Sequence, residues 1–219
     1  MVVVLAGAGV SAYLLTRPSS SGLASETPAQ IMRAAQTAVK SVSGYEMSGT
    51  GNFGNGVTSI DFKVHGADIA GTAVMNGSTL DMDQVGGNFY FKAPAAFWTA
   101  EGAPSAVSSE LAGVWVEIPA GSSSSSDFTS FSSLADVSSL LQTTDTLAPG
   151  GTGTIDGQSV VFVKDTTNPG SIAIATSGPA YPVRATVTGS SESGSITFSN
   201  WNGVPALSPP PNPLTIPGS

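Results

Sequence analysis

From Tyr45 to Phe198 apolar residues recur at every second position, and this period commits the chain to strands before any other feature is weighed. Ile60, Phe62 and Val64 alternate with Asp61, Lys63 and His65; Leu80 and Met82 alternate with Asp81 and Asp83; Phe89 and Phe91 flank Tyr90. Side chains two apart share one face of a strand, so such runs are half-buried and antiparallel. Asn76-Gly77 and Asp156-Gly157 are favoured two-residue hairpin turns, and Gly86-Gly87-Asn88 is another, so neighbours in sequence are expected to pair in a meander. Residues 114–118, 160–163, 172–174, 183–187 and 196–198 continue the pattern towards the C-terminus.

Helical spacing occurs in two places. Thr27-Pro28-Ala29-Gln30 is a capping box with proline at the first helical position, followed by Ile31, Ala34, Ala35, Ala38, Val39 and Val42 at helical intervals and ended by Gly44. After the serine run 122–126, Asp127 is placed to cap a second helix, with Phe128, Phe131, Leu134, Ala135, Leu140 and Leu141 on one apolar face. Flexible approaches at 122–126 and 143–151 would leave that helix hinged at both ends, as a lid; a permanently packed core helix is the equal alternative. The expected fold class is therefore α+β: a large curved antiparallel sheet, a half β-barrel, with an N-terminal helix and a mid-chain helix covering one face. Residues 205–219 are proline-rich and are expected to be extended and poorly ordered.

The N-terminus has a different character. Residues 2–16 form one apolar run, closed by Arg17-Pro18 and a Ser/Gly-rich stretch. At about 15 residues and 1.5 Å per residue it reaches about 22 Å, short of a roughly 30 Å hydrocarbon core, so a signal-peptide core or a clipped membrane anchor fits better than a full span. Gly7-Ala8-Gly9-Val10-Ser11-Ala12 imitates the start of a dinucleotide-binding unit, but Pro18 stops any helix and no β-α alternation follows. No basic residue precedes the run, and Val10-Ser11-Ala12 suits signal cleavage. Leu5-Ala6-Gly7-Ala8 has the outline of a lipoprotein box with Ala8 where the lipidated cysteine would stand, which removes lipid anchoring at that position. The expected division is a targeting segment at 1–16, a linker at 17–26, one domain at 27–204 and the tail.

Composition narrows the partners. A net charge of -8 and only 10% charged residues argue against nucleic acid and against unaided attraction to anionic headgroups. Zero cysteines exclude disulfides, thiol catalysis and cysteine-metal sites, so apolar burial alone must hold the fold. His65, the one histidine, is expected on the polar face of its strand, and no G-x-S-x-G elbow accompanies it. Asp61, Asp81 and Asp83 are expected on one solvated face, without the further ligands of a calcium loop. The sequon Asn76-Gly77-Ser78 is better explained as a turn, and Trp98, Trp115 and Trp201 as core or rim. No catalytic residue, metal or cofactor is expected.

The order of these elements, and several of their words, resemble the actinobacterial LppX/LprG lipoproteins, whose LolA-like fold is a half-open barrel closed by helices. The matching pieces are Thr27-Pro-Ala-Gln-Ile-Met with Val39-Lys-Ser-Val, Gly71-Thr-Ala-Val with Gly87-Asn-Phe-Tyr-Phe-Lys, Gly113-Val-Trp-Val, and Phe131-Ser-Ser-Leu-Ala. Later come Gly153-Thr-Ile-Asp-Gly, Tyr181-Pro-Val-Arg and Thr197-Phe-Ser-Asn-Trp-Asn. The chain departs from that family in lacking the lipobox cysteine and in having only a short link at 164–171, where cavity-bearing relatives have room for a helix. The resemblance implies a non-catalytic carrier of lipid or glycolipid acyl chains at the cell envelope; with the N-terminal segment, the chain is expected outside the cytoplasm, membrane-anchored or secreted, as a monomer.

The pocket that such a carrier needs would be lined from the inner face of the sheet and from the lid. Phe62, Val64, Leu80 and Met82 are expected there with Phe89 and Phe91. Phe162, Ile174 and Phe198 follow from the later strands, and Phe131 and Leu134 from the lid. The same alternation serves a filled core, so an envelope-tethered structural or sensory domain without cargo stays open beside lipid carriage. A hydrolase lacks a constellation.

Overall fold

The computed structural model describes residues 20–122, 135–142, 146–189 and 193–215. After a single turn of helix, α1 (Ser20–Leu23), comes α2 (Pro28–Val39). Its capping box is formed in full: the Thr27 hydroxyl accepts from the Gln30 N–H at 3.4 Å and the Gln30 side chain accepts from the Thr27 N–H at 3.0 Å. Ile31, Met32, Ala35 and Val39 form its buried stripe.

Six strands follow: β1 (Gly44–Asn52), β2 (Val57–His65), β3 (Asp68–Met75), β4 (Ser78–Val85), β5 (Asn88–Lys92) and β6 (Val116–Ile118). Between β5 and β6 lie two short helices, α3 (Ala95–Ala100) and α4 (Ser105–Leu111), that the sequence reading did not anticipate. Both follow a proline and lack a side-chain cap, so the strongest helix-start signal is missing. The Thr99 hydroxyl donates to that of Ser108 at 3.1 Å and ties the pair together. The next described helix is α5 (Val137–Leu141), capped by Asp136, whose carboxylate accepts from the Ser138 N–H. Phe128, Phe131 and Leu134 lie outside the described residues. Leu141 and Ala135 are buried as expected, whereas Leu140 is exposed.

The second run of strands is β7 (Leu147–Ile155), β8 (Gln158–Asp165), β9 (Gly170–Ala175), β10 (Pro182–Thr188) and β11 (Ser193–Ser199). Residues 147–151, expected to be a flexible hinge, are thus strand. With β12 (Leu214–Thr215), the twelve strands among the described residues form one open sheet in the order β12-β6-β5-β4-β3-β2-β1-β11-β10-β9-β8-β7. Each run is an antiparallel meander, and pairing of β1 with β11 joins the two. Asn76 and Gly77 sit at φ 49° and 78°, and Asp156 and Gly157 at 48° and 81°, which is the left-handed pair that a tight hairpin needs.

The sheet is mixed rather than wholly antiparallel, because β12 (Leu214–Thr215) pairs parallel to β6. The tail is therefore anchored, contrary to the expectation of poor order. At its start the Val204 carbonyl lies 2.8 Å from Nδ1 of His65, and at its end the Leu214 N–H donates to the Trp115 carbonyl at 2.7 Å. A carbonyl can only accept, so His65 carries its proton on Nδ1. Four strand spacings of about 4.8 Å separate β2 from β6, which the intervening ten or so residues span with ease. Residues 205–213 thus form a proline-rich strap from the end of β2 to the start of β6; Val85 and Tyr90, on the opposite parity to the core residues of β4 and β5, are also buried.

Candidate functional site

The inner face is built of cross-strand rows. One row runs Met47–Phe62–Gly71–Met82–Phe91 across β1 to β5, and the next inward runs Ile60–Ala73–Leu80. These side chains are buried, Phe62 to 1% exposure and Leu80 to 2%. Gly71 faces Phe62 closely: a ring carbon of Phe62 sits 2.9 Å from where a Cβ on residue 71 would be.

The outermost row is different. Tyr45, Val64, Ile69 and Gln84 stand side by side on β1, β2, β3 and β4 and form the floor of a half-open cavity of about 350 Å³. Its roof comes from Val39 and Val42 at the end of α2 and from Ala135 and Val137 at the start of α5. The rim is polar, with Ser43, the Gly66-Ala67 turn, Asp136 and Ser138.

One side chain holds floor and roof together. The Tyr45 hydroxyl donates to the Ala135 carbonyl and accepts from the Val137 N–H at 3.1 Å. Burial pushes this phenol up to about 12; the Val137 hydrogen bond opposes the shift and the nearby Asp136 carboxylate adds to it. The Tyr45 ring lies 5.0 Å from that of Trp201 between centroids, and Tyr181 stacks on Trp201 at 4.7 Å.

Of the residues expected to line a pocket, Val64 reaches this cavity. Phe62, Leu80, Met82, Phe89, Phe91, Ile174 and Phe198 are in the packed core beside it. Phe162 is on the other face, in a separate cluster with Ile155, Val160, Ala173, Ala175 and Val183. In the run Val160-Val161-Phe162-Val163 both alternations are apolar, and pairing of Val161 with Ile174 and Val163 with Ile172 decides between them. Phe131 and Leu134 lie outside the described residues. Tyr45, Ile69 and Gln84 were missed, although Ile69 is the first inward residue of β3 and Tyr45 keeps step with Met47.

The acidic row on the outer face is not uniformly solvated. Asp81 pairs with Lys92 at 2.6 Å, and Lys92 also lies 5.0 Å from the centre of the Trp115 ring. Asp83 is raised to about 6, first by burial, against a hydrogen bond from Gly71, with Asp81 raising and Lys92 lowering it further. Among the described residues no three metal-ligating side chains gather, and no helix is long and apolar enough to cross a membrane.

An open sheet with helices laid against one face is a fold this chain shares with solved mycobacterial lipoproteins. The lipoprotein LppX of Mycobacterium tuberculosis superimposes with a TM-score of 0.57 at 21% identity, over 80% of this chain and 94% of that one. LprF from Mycobacterium bovis superimposes with a TM-score of 0.59 at 16% identity, over 84% of this chain and 96% of that one. What is shared at such identities is the fold. No protein-family model and no curated protein matches the sequence.

Proposed function

We propose that this protein is a non-catalytic lipid carrier of the cell envelope, which holds acyl chain in the trough between the first inner row of the sheet and the roof of α2 and α5. The observation that carries the reading is the trough itself: about 350 Å³, with Val64 and Ile69 at the middle of its floor between Tyr45 and Gln84, an apolar roof, and Ser43, Asp136 and Ser138 at its rim. A pocket of this size and lining suits a small apolar ligand whose head stays at the mouth. The fold shared with the lipoprotein LppX supports the same reading, as does the apolar run at residues 2–16 followed by a Ser/Gly-rich linker. In this view that run directs export or tethers the domain on the outer side of the membrane, and the domain acts as a monomer.

Phe62, Leu80, Met82, Phe89, Phe91, Ile174 and Phe198 then serve as the wall behind the trough, while Val64 meets the chain directly. The tight burial of that wall favours the second reading, a structural or sensory domain with a filled core. Native mass spectrometry of the protein after mild extraction from its host separates the two. A co-purifying acyl-chain ligand is expected. Bare protein, together with failure to take up added lipid, would leave the structural reading.

A further inference from the structure

We infer that the trough takes one alkyl chain, not two or three, and that the head attached to it carries no negative charge. The inference rests on the lipid-carrier reading above and narrows it to a class of lipid.

The floor sets the shape. Tyr45, Val64, Ile69 and Gln84 form a strip one residue wide and four strands long, which at three spacings of about 4.8 Å is about 14 Å. Behind the strip, Met47, Phe62 and Met82 are at most 7% exposed, and Phe62 already occupies the space left by Gly71. A second chain laid parallel to the first would have to displace that row. Volume agrees with shape. A dry apolar cavity of about 150 Å³ holds one benzene ring. In proportion, about 350 Å³ holds on the order of a dozen carbons, one medium-length chain.

The rim sets the charge. Among the described residues that line the trough, Asp136 is the single charged side chain. It is held in place as the cap of α5 by the Ser138 N–H at 2.8 Å. A fatty-acid carboxylate at the mouth would face this carboxylate with no lining cation to offset it, whereas a glycerol or sugar head can use the hydroxyls of Ser43 and Ser138.

The test is native mass spectrometry of the full chain incubated with monolaurin, laurate or dilauroylglycerol, each delivered from mixed micelles. Monolaurin is expected to bind at 1:1 and at least about tenfold more tightly than either of the others. Ala67→Trp, at an exposed turn of the rim, is expected to block monolaurin while leaving the melting temperature unchanged. Asp136→Asn keeps a good cap and is expected to bring laurate close to monolaurin. Dilauroylglycerol bound as well as monolaurin, or laurate bound as well in the unaltered protein, overturns the inference and leaves lipid carriage standing. Uptake of none of the three overturns the carrier reading itself.

Discussion

The phenol of Tyr45 and the backbone of Val137 are 92 residues apart in sequence and 3.1 Å apart in space, and their hydrogen bond fixes the mid-chain helix over the end of the sheet. Because the same hydroxyl donates to Ala135, a single side chain satisfies two buried backbone groups of the roof.

Tyr45→Phe should therefore cost more than an ordinary hydrogen bond. The Val137 N–H and the Ala135 carbonyl lose their partner while both residues stay buried, at about 1–3 kcal/mol in all. Hydrogen exchange at 135–142 is expected to accelerate far more than exchange in β2 or β3. Uniform acceleration across the sheet would show that the latch serves global stability rather than the roof.

The outer face supplies a pH dependence. Asp83 is raised from its ordinary 3.8 to about 6 in the folded protein, so folding disfavours its charged form. Its contribution is fully present below about pH 4 and is lost as pH rises through about 6. Asp83→Asn should therefore flatten the fall in stability between pH 4 and 7 and raise the melting temperature at pH 7. Partial exposure reduces the effect to roughly 1 kcal/mol, a few degrees for a domain of this size. Melting curves at pH 4.5 and 7 check it; equal shifts at both would contradict the assignment.

Removal of the strap should act on the same group. Truncation after Val204 is expected to expose Val85 and Tyr90, at a cost of about 1.5–3 kcal/mol for a large apolar side chain. It should also rehydrate Asp83, so the truncated protein is expected to melt lower and to lose the pH slope together. A lower melting temperature with the slope intact would place the source of the Asp83 shift elsewhere.

What was legible in the sequence was local. The Thr27–Gln30 box, the Asn76-Gly77 and Asp156-Gly157 turns and the two meanders are each specified within a few residues, and the structure forms them as read. What was not legible depends on distant partners. Phe162 turned outward because Ile172 and Ile174 claimed the other alternation. The tail became a strand because β6 had a free edge to offer it. The trough escaped for the same reason: Tyr45, Val64, Ile69 and Gln84 follow the same alternation as the packed rows beside them, and only the roof placed over them makes them a floor. Val64 was named for its inward parity, which it shares with Phe62, and parity does not tell wall from lining.

The most direct test of lipid carriage is a crystal structure of the protein grown with dodecyl maltoside brominated at the end of its alkyl chain. One anomalous bromine peak is expected between the floor and the roof, in van der Waals contact with Val64 or Ile69. At saturating detergent, an empty trough, or bromine found only on the outer surface of the sheet, would contradict the account.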